Sequence, residues 1–225
     1  MNITMRKFLP FLFTASLLFT SLSCNVNKGL TGGISPAKAL SGVQALLGGT
    51  TSSVLNGFTG DILSNPIMQS VLPKELTTLT SVLGKSNEGA KVLGLVNGAL
   101  SSVVPNVAGS VLADATKNIS PNDALSLLNG GETGATDFLK GAVGSKLTEA
   151  ILPAMTEKLT SGGGLGAITS LLGGQAAGML GGDKPSIANL LTNSTVDGLF
   201  AMMGNAEKAE RANPTDPLLK ELFGK

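Results

Sequence analysis

The sequence predicts an all-α fold, a single multi-helix bundle of short capped helices with one glycine-rich flexible segment. Three observations predict it. Apolar residues recur every three or four positions along most of the chain, and no stretch keeps the alternation of a strand. Helix-opening pairs recur at Ser35-Pro36, Ser120-Pro121 and Asp216-Pro217, each placing a capping oxygen just before a proline at the first helical position. Glycine makes up 30 of 225 residues, nearly twice the usual share of about 7 %, and much of it falls where apolar runs end.

Residues 1–23 read as an export leader. Arg6 and Lys7 form a basic start. Phe8 to Phe19, FLPFLFTASLLF, is a mostly apolar run too short to cross a bilayer core of about 30 Å. Ser21, Leu22 and Ser23 then precede Cys24, the one cysteine of the chain. Small residues before a cysteine, after such a run, resemble a bacterial lipoprotein signal, in which the cysteine becomes the acylated first residue. Ser21 stands where that signal most often has leucine, and a plain secretory peptide with an incidental cysteine is the alternative. Lipid attachment at Cys24 is the expectation, because the sole cysteine sits at the one position such a signal requires. Asn25 is not the aspartate that retains lipoproteins at the inner membrane in well-studied Gram-negative bacteria, so the expected location is the outer membrane, facing the periplasm. Residues 24–34 are a polar, glycine-containing tether, and 35–225 form one helical domain long enough for its own core.

Within that domain, Ala39, Leu40, Val43, Leu46 and Leu47 share one helix face, and Gly48-Gly49 is expected to close that helix. Asn65-Pro66 and Leu72-Pro73 bracket a turn segment. Leu76, Leu79, Val82 and Leu83 mark a short helix ending at Gly84. Residues 86–118 form a long helical stretch, uncharged from Val92 to Ala113. A membrane span is one reading of it. Asn97, Ser101, Ser102, Asn106 and Ser110 favour a central core helix, kinked or broken near Pro105. Ser120 caps the next helix, with Asp123 three residues on as in a capping box, and Gly130-Gly131 ends it. Thr133 is expected to cap a helix burying Ala135, Phe138 and Leu139, and Ser145 another carrying Leu147, Ile151, Met155 and Leu159, with a kink at Pro153. Leu159 to Gly182 has no charge and nine glycines; with about 1 kcal/mol lost per glycine relative to alanine, 161–182 is expected to be weakly helical and partly mobile. Leu191, Val196, Leu199, Phe200 and Met203 form a face through Gly204, followed by the charged EKAERANP and a last short helix with Leu218, Leu219, Leu222 and Phe223.

Composition excludes several chemistries. There is no His, so no Ser-His-Asp triad, Cys-His dyad or His-ligated zinc. One cysteine forms no internal disulfide. Removing Arg6 and Lys7 with the leader leaves 14 basic against 15 acidic residues, too few cations for a broad nucleic-acid surface.

Two blocks give the chain a likeness to a known family: ISPNDALSLLNGGETGATDFLKGAVGSKLTEAILPAM, 119–155, and STVDGLFAMMGNAEKAERANPTDPLLKELFGK, 194–225. Their motif positions, Asn129, Gly130, Gly131, Thr136, Asp137, Asp197, Gly198, Phe200, Arg211, Asn213 and Pro214, resemble the bacterial family called domain of unknown function 4197. The stretch GDILSNPIMQSVLPKEL, 60–76, is similar to a further part of that family. The chain departs from the pattern at Thr136-Asp137-Phe138-Leu139, where Phe138 stands at a position that is often tyrosine in the family. The resemblance implies a small helical domain on an exported, often lipid-anchored protein, and no activity.

Asp123, Glu132 and Asp137 lie near a Gly-Gly turn, but their spacing is not that of a calcium loop, and capping accounts for Asp123 and Asp137. Asn129-Gly130-Gly131 is a helix C-cap, since no phosphate-loop lysine follows it. Asp197 and Glu210 are the remaining carboxylate pair considered for acid–base work. Arg211, the only arginine after the leader, has an exposed ion pair with Glu207 as its plain reading. The stronger expectation is that Arg211 is partly buried and clamps its helix end to another element, with Asp197 or Asp137 as its acid. No catalytic residue, metal or cofactor is expected. The function expected is a lipid-anchored envelope protein, a non-enzymatic binding or structural module whose partner is an envelope protein. A carrier of a hydrophobic ligand between helices, with room left by Gly94, Gly98 and Gly109, is the alternative, and an enzyme the third reading.

Overall fold

The computed structural model describes residues 33–168, 170 and 184–224. The leader, Cys24 and nearly all of the tether lie outside them. So does 169 and 171–182 of the glycine-rich segment. Its described part is the end of a helix, a turn and a further helical turn in which Leu165 and Ile168 are buried.

Four long helices form the frame: α1 (Pro36–Gly57), α4 (Asn87–Lys117), α6 (Gly134–Ser161) and α7 (Lys184–Ala212). They close a ring in which α1 packs on α4, α4 on α6, α6 on α7 and α7 on α1. Successive members run antiparallel. Gln44 reaches Thr116 while Leu55 lies by Gly109, and Ala135 meets Glu207 while Gly144 lies by Phe200. This is the layout of an up-down-up-down bundle. Shorter elements fill its outside. A 3-10 turn (Ile62–Ser64), α2 (Pro66–Val71) and α3 (Lys74–Leu83) link α1 to α4, α5 (Pro121–Leu128) lies on α1, and α8 (Pro217–Phe223) lies on α1 and α7. No strand occurs among the described residues.

The helix starts follow their side-chain caps. Ser35 accepts from the Lys38 N–H, Asn65 from Ile67 and Met68, Ser86 from Gly89, Ser120 from Asp123 and Asp216 from Leu218 and Leu219. The helix ends are less literal. Gly48-Gly49 does not close α1, which continues to Gly57, because Thr50, Thr51 and Val54 extend the buried face of Leu46 and Leu47. The segment expected as a turn after Asn65 is the short helix α2. Ser145 caps nothing, since α6 is one helix from Gly134 to Ser161. Leu139, Val143, Leu147, Ile151, Met155 and Leu159, each four residues from the last, are all buried and bridge the expected break. Packing outweighs local propensity here. Helix α4 likewise runs uninterrupted through Pro105, and α6 through Pro153.

Helix α4 is long and apolar enough to cross a membrane. Its Val92, Val96, Leu100, Val103, Val104, Ala108 and Leu112 are buried in the domain core. Phe138, expected inside, is 37 % exposed, because Ala135 and Leu139 already take the inward face of its turn.

Two glycines predict opposite responses to the same change. A Cβ on Gly49 would meet nothing within 4 Å, whereas one on Gly89 would lie 2.0 Å from the Leu83 carbonyl oxygen, where α3 folds back on α4. Gly49→Ala should raise stability by about 1 kcal/mol through helix propensity. Gly89→Ala should lower it by about 1–3 kcal/mol through overpacking. Thermal denaturation of the two variants checks both signs.

Candidate functional site

A helix leaves its last carbonyls and first N–H groups without internal partners. Between α5 and α6 the chain turns through Asn129–Thr133, with Gly131 at φ 85°. Two such ends therefore face each other across a short loop. Asn129 serves the first locally, its side-chain amide donating to the Leu125 carbonyl at 2.9 Å. Thr133 does not serve the second with its side chain; its hydroxyl donates to Asp137 at 2.9 Å instead.

The missing partners come from α7. Glu207 is fully buried, at 0 % exposure. One carboxylate oxygen accepts the Ala135 N–H at 3.0 Å and the other the Thr136 N–H at 2.7 Å. Arg211, one turn on, donates from its two terminal nitrogens to the Leu128 and Leu127 carbonyls at 2.9 and 2.8 Å. Its Nε closes the arrangement on Glu207 at 2.8 Å. The guanidinium lies 4.9 Å from the centroid of the Phe223 ring of α8, within cation–π range. One i,i+4 pair thus caps the end of α5, the start of α6 and the inner side of α8. The carboxylate sits at a helix N-terminus and the cation at a helix C-terminus, the favourable polarity at each.

The expectation for Arg211 is met in part. Its side chain is 10 % exposed and clamps α7 to another element. The acid is neither Asp197 nor Asp137. Asp197 pairs with Lys140 at 2.8 Å, joining α7 to α6 on the surface, and Asp137 holds Thr133. The Glu207–Arg211 pair expected as an exposed one is real, but buried. Sequence spacing identified the pair and could not show that two backbone N–H groups, which no side-chain pattern reveals, draw Glu207 inside.

The remaining motif residues fall around this centre. Thr136 is buried and Asp137 exposed. Gly198 is buried where α2 crosses α7; a Cβ there would lie 2.6 Å from the Met68 sulfur. Phe200 is 3 % exposed. Asn213 and Pro214 follow the end of α7, with Asn213 exposed. Gly130 and Gly131 are exposed in the turn, which Glu132 ties to Lys208 at 2.6 Å. Asp123 shares its carboxylate with the Ser120 hydroxyl at 2.6 Å. The three acids near this turn are therefore each engaged separately, and among the described residues no group of three or more acidic or cysteine side chains is placed to hold a metal ion.

Glu210 lies apart from Asp197. One oxygen accepts the Thr215 N–H at 2.6 Å, the Thr215 hydroxyl at 2.8 Å and the Asp216 N–H at 3.3 Å, fastening the link from α7 to α8. Burial opposes its ionisation, but these hydrogen bonds outweigh burial and hold the carboxyl below its ordinary value of 4.5.

A match to the family model spans residues 33–224, the whole of the helical domain. The chain belongs to the family described as protein of unknown function (DUF4197). No curated protein matches it, and no solved structure does. Within this DUF4197 domain, the two family-like blocks are the halves of one contact: the first supplies the two helix ends and the second the Glu207–Arg211 pair that caps them.

Two outcomes are expected. Arg211→Ala leaves a buried carboxylate unpaired and should cost about 3–5 kcal/mol, close to 10 °C or more at about 2–4 °C per kcal/mol for a domain of this size. Glu207→Gln offers one acceptor oxygen to three donors and should cost about 1–3 kcal/mol. Thermal melts that overlay the wild type would refute both. Separately, the lowered pKa of Glu210 means that its contribution is complete above pH 4.5 and is lost as pH falls through the folded-state value. Glu210→Gln should therefore lower stability at neutral pH and flatten the acid limb of a stability–pH curve, measured by chemical denaturation.

Proposed function

We propose that this protein is a lipid-anchored cell-envelope protein, held through Cys24 in the outer membrane, whose helical domain is a non-enzymatic binding module facing the periplasm. One observation supports the binding role most directly. A groove of about 900 Å³ opens between the 3-10 turn, α3 and α4. Its walls carry Ser64, Gln69, Thr77, Thr80, Asn97 and Ser101, neutral groups that form hydrogen bonds. Its one acid, Asp61, is already held by the Asn97 amide at 2.6 Å and the Ser64 hydroxyl at 2.5 Å. The side-chain oxygen of Asn97 accepts the Leu63 N–H at 3.0 Å, which fixes the groove wall. Ser64 shares the Asp61 carboxylate with Asn97, and the Thr77, Thr80 and Ser101 hydroxyls donate to backbone carbonyls at 3.1, 2.9 and 3.3 Å, so this lining favours recognition over chemistry. Gly94 and Gly98, expected to make room for a hydrophobic ligand, line the same groove, but beside polar neighbours.

Two measurements test the reading. Cys24→Ser should leave the domain folded but release it from membranes or block its processing, since stable anchoring needs more than one acyl chain; retention after a carbonate wash would overturn the anchor. Photo-crosslinking residues at Thr80 and Ser101 should capture a defined envelope protein in intact cells, while one at exposed Glu149 should not. Equal adducts at all three positions would overturn the groove as the contact surface.

A further inference from the structure

A second concavity is of a different kind. Where α1 and α4 run side by side, a slot of about 370 Å³ lies between them, lined by Gln44, Gly48, Thr51, Leu55, Gly109 and Lys117 among others. This volume falls within the range of small-molecule sites. The slot exists because Gly48 and Gly109 face it. A Cβ on Gly48 would meet nothing within 4 Å, and one on Gly109 would lie 3.5 Å from Leu55.

Small residues alone would not make this a site, but Thr51 behaves differently from its neighbours. A threonine in a helix commonly returns its hydroxyl to a carbonyl three or four residues back. Thr116 does so to Leu112 at 2.8 Å, Thr195 to Leu191 at 2.6 Å and Thr50 to Leu47 at 3.1 Å. Thr51 does not. It is 8 % exposed, and its hydroxyl has no hydrogen-bond partner. A buried hydroxyl in that condition costs stability, and a partner arriving from the slot would relieve it. Lys117 is the one charged residue of the lining. Its ion pair with Asp114 is long, 3.9 Å, and exposed on both sides, which leaves the ammonium available.

Side chains lean toward the N-terminus of their helix. As α1 and α4 are antiparallel, Thr51 leans toward the Gln44 end and Lys117 leans away from it over Ala113, each toward the other along the slot. From Thr51 to Leu55 is four residues of α1, roughly 6 Å, along a wall of Gly109 and Leu55.

We propose that this slot binds a medium-chain carboxylate, with the carboxylate between the Lys117 ammonium and the Thr51 hydroxyl and the alkyl chain running toward Gly109 and Leu55. This takes the ligand-carrying alternative to a site separate from the groove, so each fails on its own measurement.

The test is calorimetric titration of the purified full-length chain with octanoate, with acetate and methyl octanoate as controls. Octanoate should bind below the concentration at which it self-associates. Acetate, which lacks the chain, should not bind, and methyl octanoate, which carries the chain as an ester without charge, should bind at least tenfold more weakly. Thr51→Val and Lys117→Gln should each weaken octanoate binding at least tenfold while the melting temperature holds or, for Thr51→Val, rises. Gly48→Leu fills the slot and should abolish binding with the melting temperature held or raised. Absence of octanoate binding, or binding untouched by Gly48→Leu, overturns the proposal. Equal affinity for the ester overturns the carboxylate. Should Gly48→Leu lower the melting temperature, the Thr51 and Lys117 variants decide.

Discussion

The arrangement of the bundle depends on how two helix ends that meet without partners are satisfied. The end of α5 presents carbonyls and the start of α6 presents N–H groups, and of the four that α7 reaches the turn between them serves the Leu127 carbonyl alone, through the Gly130 N–H at 3.2 Å. Glu207 and Arg211 meet both demands from a third helix. A buried ion pair is not in itself a strong source of stability, since desolvation takes back much of the Coulombic gain. Here the charges are chiefly hydrogen-bonded to backbone, so the pair specifies which helix lies where. Replacing it with apolar side chains would leave three backbone groups buried and unsatisfied, the Leu128 carbonyl and the Ala135 and Thr136 N–H groups.

Most of the helical class was legible from the sequence, because caps and periodicity are local. Ser35-Pro36, Ser120-Pro121 and Asp216-Pro217 each open a helix at the expected residue. What local patterns could not show is where packing overrides them. Gly48-Gly49 reads as a stop and Ser145 as a new start, yet each lies on a helix whose next buried residues continue the same face. Phe138 read as core because its neighbours are, and it is Leu139, one step round the helix, that faces inward.

The site was legible as a set of residues and not as a geometry. Arg211 stood out by its rarity, and Glu207 by its spacing from it. The carbonyls of Leu127 and Leu128 and the N–H groups of Ala135 and Thr136 belong to residues chosen for their apolar or small side chains, and nothing in those side chains announces that their backbone is the partner. The acids that looked available by type, Asp137 and Asp197, are spent on a threonine and a lysine at the surface. Among the DUF4197 motif residues, Thr136, Gly198, Phe200 and Arg211 are thus occupied in holding the bundle together, while the groove beside α3 and α4 and the slot beside α1 are lined by other residues.

The contact that joins 127–136 to 207–223 also sets an order of events. A chain made from its N-terminus completes α1, α4, α5 and α6 before Glu207 exists. Until then the two helix ends remain open, exchanging with water, and the apolar faces they align are held only by one another. Contacts this far apart in sequence form late and slowly. The domain therefore cannot lock into its final form while its last two helices are still being delivered, and the interval before they arrive is when it is open to proteases and to chaperones.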